Sequence, residues 1–190
     1  MAVVLKGGGD DEAIAEIDDA AVLARSRSGD AAAFEEAIRR YESRLRRYLT
    51  NFLHDQDLAA DVLQETFLEL HHCLQGPDVP PSLSRWLYRA ATNNAIDALR
   101  RRSVRSRIRS LFVANVPTMH DPSDDALDRL AAVRALAKLS PEDRACVLLH
   151  AALGLRYYEI GKVLGLSDDA ARQRIARAKA RFRRHYESES

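Results

Sequence analysis

The stretch Tyr157-Tyr158-Glu159-Ile160-Gly161-Lys162-Val163-Leu164-Gly165-Leu166-Ser167, followed by the basic run from Asp168 to Arg184, decides the fold. Ile160, Val163 and Leu164 recur at three- and four-residue steps, which predicts a short amphipathic helix with those side chains inward. Gly165-Leu166-Ser167 supplies a tight turn, with the glycine able to take the left-handed conformation. Beyond the turn, Ala171, Ile175, Ala178 and Phe182 fall on one helical face, and Gln173, Arg174, Arg177, Arg181 and Arg184 fall on another. Short helix, glycine turn and longer basic helix make a helix-turn-helix pattern, whose cationic face is expected to meet DNA. Arginine can bond guanine bidentately and glutamine can bond adenine, while the remaining cations hold phosphates. Taken alone, the same run also fits an ordinary surface helix.

Working outward, the helical pattern extends back to about Asp124, so this block is a small unit with a modest core of its own. Before it, Val116-Pro117-Thr118-Met119-His120-Asp121-Pro122-Ser123 has no apolar period and two helix-blocking prolines, the marks of a linker. Extended at ~3.3–3.6 Å per residue, some twenty residues can bridge ~70 Å, ample for two units gripping separate sites. A second helical block precedes the linker. Phe34, Ile38, Tyr41, Leu45, Tyr48, Leu49 and Phe52 form one stripe, with Asp30 placed to cap its helix. His54-Asp55-Gln56-Asp57 is a polar break, and Asp57 is the expected cap of a helix running to about Leu74. Gln75-Gly76-Pro77-Asp78-Val79-Pro80-Pro81-Ser82 cannot be helix interior. A third helix is expected from about Ser84 to Arg102, with Trp86, Leu87, Ala90, Ala91, Ala95 and Leu99 inward.

The expected fold class is therefore all-α: two small helical domains joined by a flexible linker. Residues 1–17 form an acidic extension expected to be disordered, 18–105 the first domain, 106–123 the linker, 124–186 the second domain and 187–190 a tail. With 190 residues, 46% hydrophobic and only 8 Gly and 6 Pro, the chain lacks the turn punctuation of an all-β sandwich. No apolar run approaches the ~18 residues of a membrane span, and the start is too short for a signal peptide. Two isolated cysteines, Cys73 and Cys146, fit a reducing compartment, so a cytoplasmic protein without membrane insertion is expected.

The formal net charge of +1 conceals a strong segregation of sign. From His54 to Ser84 there is no Lys or Arg, while Asp55, Asp57, Asp61, Glu65, Glu69 and Asp78 are present. Arg85, Arg89, Arg100, Arg101, Arg102, Arg105, Arg107 and Arg109 follow, opposed by Asp97 alone. Arg172, Arg174, Arg177, Lys179, Arg181, Arg183 and Arg184 make a second block without an acid. Two cationic segments point to two contacts with a polyanion and leave the anionic surface for a different partner.

The run Ala60-Asp61-Val62-Leu63-Gln64-Glu65-Thr66-Phe67-Leu68-Glu69-Leu70, with Ser84-Arg85-Trp86-Leu87-Tyr88-Arg89-Ala90-Ala91-Thr92-Asn93-Asn94-Ala95-Ile96-Asp97-Ala98-Leu99-Arg100-Arg101, resembles region 2 of bacterial extracytoplasmic-function sigma factors. Gly29-Asp30 with Phe34 and Tyr41 resembles the start of that region. Leu139-Ser140-Pro141-Glu142-Asp143-Arg144 and the helix-turn-helix resemble the family's region 4. The resemblance covers roughly residues 18–186, in the family's order.

The resemblance implies that the Asp61-x-x-Gln64-Glu65 helix docks on the clamp helices of the β′ subunit of core RNA polymerase. Asp61, Gln64, Glu65 and Leu68 are spaced to share one face, which would repel DNA and suit a basic protein partner. It also implies that region 2 recognises and melts the promoter −10 element, with Arg89, Asn93, Arg100, Arg101 and Arg102 on the DNA and the loop from Gln75 to Ser84 holding a flipped base. Region 4 would read the −35 element through Arg172, Gln173, Arg174, Ala176, Arg177 and Arg181, and would bind the flap of the β subunit. Asp168-Asp169-Ala170-Ala171 stands where the family usually has Gly-Thr-Val. The two aspartates can cap the helix yet bring negative charge near phosphates, so an atypical −35 preference or weaker duplex affinity is expected. Gly161 replaces the family's usual alanine, which should cost ~1 kcal/mol of helix stability.

His71-His72-Cys73 looks like a metal cluster, but adjacent residues point to different helix faces, so neither a metal nor a cofactor is expected. Cys146, among Ala145, Val147 and Leu148, reads as a small core residue. The chain has no phosphate loop or nucleophile elbow, which argues against an enzyme. The expected function is that of a dissociable promoter-specificity subunit with core RNA polymerase, promoter DNA and an anti-sigma factor as partners. Two alternatives share part of the pattern: a sigma-like decoy that only sequesters an anti-sigma factor, and a stand-alone helix-turn-helix regulator.

Overall fold

The computed structural model describes residues 19–26, 28, 30–76, 80–108, 124–151 and 153–189. The expected acidic extension, most of the expected linker and positions 77–79 of the proline-rich loop lie outside the described residues. Among the described residues there are eight helices and no strand. They are α1 (19–26), α2 (Ala31–Leu53), α3 (Gln56–Gln75), α4 (Leu83–Ile108), α5 (Asp124–Ala137), α6 (Pro141–Ala151), α7 (Tyr157–Leu164) and α8 (Asp168–Glu187). None of these helices is long and apolar enough to cross a membrane.

Helices α2, α3 and α4 pack on one another as the first unit. Asp30 caps α2, its carboxylate accepting the Ala32 N–H at 2.9 Å. The stripe then buries Tyr41, Leu45, Tyr48, Leu49 and Phe52, while Phe34 and Ile38 lie half-buried at its rim beside buried Ala33 and Ala37. His54 ends α2 in the left-handed conformation (φ 53°), unusual for a residue with a side chain. That turn swings the chain straight into an extended Asp55, and Asp55, not Asp57, caps α3 by accepting the Leu58 N–H at 3.0 Å. Asp57 sits within the first turn, where its charge suits the helix dipole.

Helix α4 supplies Leu83, Leu87, Ala91 and Ala95 to the core, whereas Trp86 and Leu99 are half-buried against it. Thr92 donates its proton to the Tyr88 carbonyl, so Tyr48 must be the donor in the buried 2.8 Å hydroxyl pair that ties α2 to α4. The helix continues to Ile108, past the expected end near Arg102, because no proline or glycine interrupts Ser103-Val104-Arg105-Ser106-Arg107.

In the second unit, α8 packs against α5, α6 and α7. Its core joins Ala171, Ile175 and Ala178 to Ile160 and Val163 of α7 and to Cys146, Leu148 and Leu149 of α6. Gly165 takes the left-handed conformation (φ 67°), and the Leu166 N–H returns to the Gly161 carbonyl at 2.8 Å. Ser167, rather than Asp168 or Asp169, caps α8 through the Ala170 N–H. Residue 187, expected to open the tail, is the last residue of α8, and Glu189 folds back onto Lys138 and Arg134. The two units abut: α4 meets α7 and α6, and α2 meets α6.

Candidate protein and nucleic-acid interfaces

The 3.6-residue period of α3 turns Val62, Phe67 and Leu70 into the core and leaves Asp61, Gln64, Glu65 and Leu68 exposed together. Leu68 is the most exposed large hydrophobic among the described residues, at 53%. An apolar side chain flanked by acids and a glutamine is the composition of a protein-docking face, since phosphate would be repelled there. Beside this face runs a shallow depression between α3 and α4, lined by Asp55, Asp61, Glu65, Arg101 and Arg102 among others. Arg101 lies 3.7 Å from Glu65, and Arg102 donates to Asp55 at 2.7 Å. The Leu58 N–H, aided by Arg102, holds the Asp55 carboxyl below the usual carboxylate range.

Arg89 and Asn93 are exposed one turn apart on a different face of α4, and Asp97 and Arg100 continue it. Arg100 pairs with Asp97 at 3.1 Å. The three consecutive arginines therefore do not form one patch. Successive helical residues are rotated by about 100°, so Arg100 stays with Asn93 while Arg101 and Arg102 turn to α3.

Along α8, Arg172, Gln173, Ala176 and Arg177 are exposed on one outward face. Arg174 and Arg181, seven residues apart, are turned instead toward α6, where both pair with Asp143. The Asp143 carboxylate is only 5% exposed. Asp168 and Asp169 are exposed at the first turn of α8. Exposed Tyr157 stacks on His150, and Lys162 lies over the ring of Tyr158.

Three groups that order these faces carry no signature in the sequence. Asp19 is 3% exposed and accepts from the Tyr41 hydroxyl, from Arg40 and from the Ser84 N–H at 3.3 Å, which fastens α1 to α2 and to the start of α4. Burial and this carboxylate push the Tyr41 hydroxyl above its usual range. Asn94 bridges to Glu69 of α3 at 3.1 Å. Arg144 is 7% exposed and donates to four carbonyls, those of Phe52, Leu136, Ala137 and Leu139. Burial lowers its affinity for its proton. Only the acidic and basic blocks were visible from composition; these contacts join residues 5 to 92 positions apart.

Residues 37–105 match the family described as Sigma-70 region 2, and residues 129–182 match Sigma-70, region 4. The RNA polymerase sigma factor CarQ of Myxococcus xanthus is 32% identical over 162 residues, spanning 85% of this chain and 93% of that protein. The chain belongs to the extracytoplasmic-function branch of the sigma-70 family. The ECF RNA polymerase sigma factor SigM of Mycobacterium tuberculosis is 29% identical over 169 residues, 89% of this chain and 85% of that protein. Among solved structures, CnrH in complex with the cytosolic domain of CnrY superposes with a TM-score of 0.68 at 26% identity, covering 90% of this chain and 99% of that one. Sigma factors are regulatory, non-catalytic proteins that act with RNA polymerase in transcription initiation. The region 2 match contains the α3 face and Arg89, Asn93, Arg100, Arg101 and Arg102 of α4, and the region 4 match contains Asp168, Asp169, Arg172, Gln173, Arg174, Ala176, Arg177 and Arg181 of α8.

Proposed function

We propose that this sigma factor docks on core RNA polymerase through Asp61, Gln64, Glu65 and Leu68 of α3, against the clamp helices of the β′ subunit, with the region 4 unit on the flap of the β subunit. The polymerase-bound chain reads the −10 element with Arg89, Asn93 and Arg100 to Arg102, and the −35 element with the outward face of α8. The observation that carries this reading is an exposed, anionic and partly apolar α3 face set apart from the face of α4 that bears Arg89, Asn93 and Arg100 and from the outward face of α8, all inside the two matched regions, with Arg101 and Arg102 on the border of the α3 face beside Glu65 and Asp55. An anion-repelling surface selects a basic protein over DNA, and exposed arginines supply the phosphate and guanine contacts that a carboxylate cannot. Melting follows from binding energy: unstacking costs a few kcal/mol, which contacts to the freed strand offset. An anti-sigma factor is a further proposed partner, supported by the CnrH structure, which holds CnrY's cytosolic domain.

The test is transcription in vitro with core polymerase over a randomised promoter library. Expected is enrichment of one pair of spaced elements, and a loss of output of at least tenfold for Arg172→Ala/Arg177→Ala with polymerase binding intact. Output that ignores these arginines, from a polymerase-bound chain, overturns their −35 role; no promoter-directed output at all favours the decoy, and tight duplex binding by the chain alone, with no polymerase association, favours the stand-alone regulator.

A further inference from the structure

Between Ile38 and Asn51, helix α2 carries Arg39, Arg40, Arg44, Arg46 and Arg47 against Glu42 alone. Arg46 pairs with Glu42 at 2.6 Å, whereas Arg39 and Arg47 are exposed and pair with no acid among the described residues. Helix α1 lies antiparallel on the first half of α2. Arg25, near its end, donates to Glu36 at 2.7 Å, and Asp19, at its start, accepts from Arg40 at 3.3 Å and from Tyr41. The step from 25 back to 19 on α1 is about 9 Å and that from 36 to 41 on α2 about 7.5 Å at ~1.5 Å per residue, so the two helices keep step. The chain that leads into Asp19 therefore arrives along the second half of α2. There Glu36 and Arg40 are followed on the same helical line by Arg44, Arg47 and Asn51. The incoming chain is anionic: Asp10, Asp11, Glu12, Glu16 and Asp18 are opposed by Lys6 alone. Counted back from Asp19 in the helical period, Glu16 and Glu12 fall on the stripe that faces α2, and Asp10 and Asp11 fall off it. A donor is also left over near the point of entry. Asp19 accepts the Ser84 N–H, and the Nε of the next residue, Arg85, is buried with no acceptor among the described residues. The region 2 match begins at residue 37 and gives the extension no role.

We infer that the acidic extension docks on region 2 of its own chain, continuing the line of α1 along α2 with Glu16 against Arg44 and Glu12 against Arg47, and so shields these arginines from outside polyanions. The charges run in register from the contact the structure shows. Asp19 meets Arg40; Glu16 at i−3 then falls opposite Arg44 at i+4, and Glu12 at i−7 opposite Arg47 at i+7. Only an antiparallel course brings successive carboxylates to successive arginines in this way. A single exposed ion pair is weak. Here the buried Asp19 contact sets the register first, so the later pairs close at high effective concentration. Unshielded, the α2 arginines would offer phosphate a cationic line with no base readout, adding affinity for any duplex. The extension thus has a seat in place of the disorder expected from its composition.

The experiment uses the full chain with a nitroxide label on Ala13→Cys, in a Cys73→Ser background that leaves only the buried Cys146. Broadening of amide signals maps the seat, and fluorescence anisotropy with a random-sequence duplex reads the shielding. Two paired variants remove the same charge: Glu12→Gln/Glu16→Gln on the stripe and Asp10→Asn/Asp11→Asn off it. Expected is broadening centred on positions 43–51 of α2 in the parent chain and the off-stripe pair, and at least halved in the stripe pair. Duplex binding by the stripe pair is expected to be at least threefold tighter than by the off-stripe pair, a gain that Arg47→Ala abolishes. If Arg47→Ala fails to fold, the label and the two pairs still decide. Equal broadening in the two pairs, or equal duplex binding, overturns the inference. So does broadening that appears only between labelled and isotope-enriched chains mixed as separate molecules, which makes a second copy the occupant. Neither readout involves polymerase or a promoter, so failure here is distinct from failure of the promoter-reading assignment.

Discussion

At Gly161 local propensity and tertiary packing pull in opposite directions. On an isolated helix an alanine there would gain ~1 kcal/mol. In the folded chain a Cβ at this position would stand 2.9 Å from the Leu166 carbonyl oxygen and 3.4 Å from the Ala171 methyl. Leu166 is held in place by its own N–H bond to the Gly161 carbonyl, so the backbone cannot retreat without opening the turn. Gly161→Ala is expected to lower stability by about 1–2 kcal/mol, read as a drop in thermal midpoint, with the loss confined to region 4. Arg144 makes the same point with charge. Lysine there has one ammonium in place of a guanidinium fork and cannot reach four carbonyls on two helix ends. Arg144→Lys is therefore expected to cost about 2 kcal/mol in chemical denaturation. Neither effect was legible from the sequence, where Gly161 reads as a helix defect and Arg144 only as the end of the stretch from Leu139 that resembles region 4. What a residue costs or contributes was hidden wherever its partner lies on another element.

At the scale of elements the sequence was far more readable, because helical period alone sorts inside from outside. The face containing Asp61, Gln64, Glu65 and Leu68, the inward set Val62, Phe67 and Leu70, and the buried row Ala171, Ile175 and Ala178 all follow from counting residues. The period fails where two polar faces compete. Arg174 and Arg181 look equivalent to Arg177 in the sequence, yet Asp143 draws them to α6 and leaves Arg172, Gln173, Ala176 and Arg177 outward. The salt dependence of −35 duplex binding tests this division. Replacing Arg172 and Arg177 by alanine is expected to flatten the slope of log affinity against log salt by about 1–2 units, since each phosphate contact contributes ~0.9. Asp168 and Asp169 belong to the same element. Ser167 supplies the cap, so the aspartates are not needed for one, and Asp168→Ala/Asp169→Ala is expected to tighten duplex binding at little cost in stability.

Across the whole molecule the junction between the units has its own acid response. His54 lies at the turn between α2 and α3 near Arg144, and its Nε2 is buried without a hydrogen-bond partner. Burial, and then the Arg144 charge, pushes its pKa down to about 4 from an ordinary ~6.5. A base held below its unfolded pKa binds fewer protons when folded. Its stabilising contribution is therefore complete above pH ~6.5 and is lost as pH falls toward 4. His54→Asn, which tolerates the left-handed backbone, is expected to flatten the decline in thermal midpoint between pH 6.5 and 4. An unchanged slope would place the acid sensitivity elsewhere.

The division of the molecule into a face for protein and faces for DNA is tested most directly by charge reversal on α3. Asp61→Arg/Glu65→Arg, both exposed and outside the core, should leave the helical signal and thermal midpoint near those of the parent chain. Co-elution with core RNA polymerase is the measurement. Association is expected to weaken at least tenfold; a folded variant that co-elutes as well as the parent chain would contradict the assignment of the α3 face to polymerase.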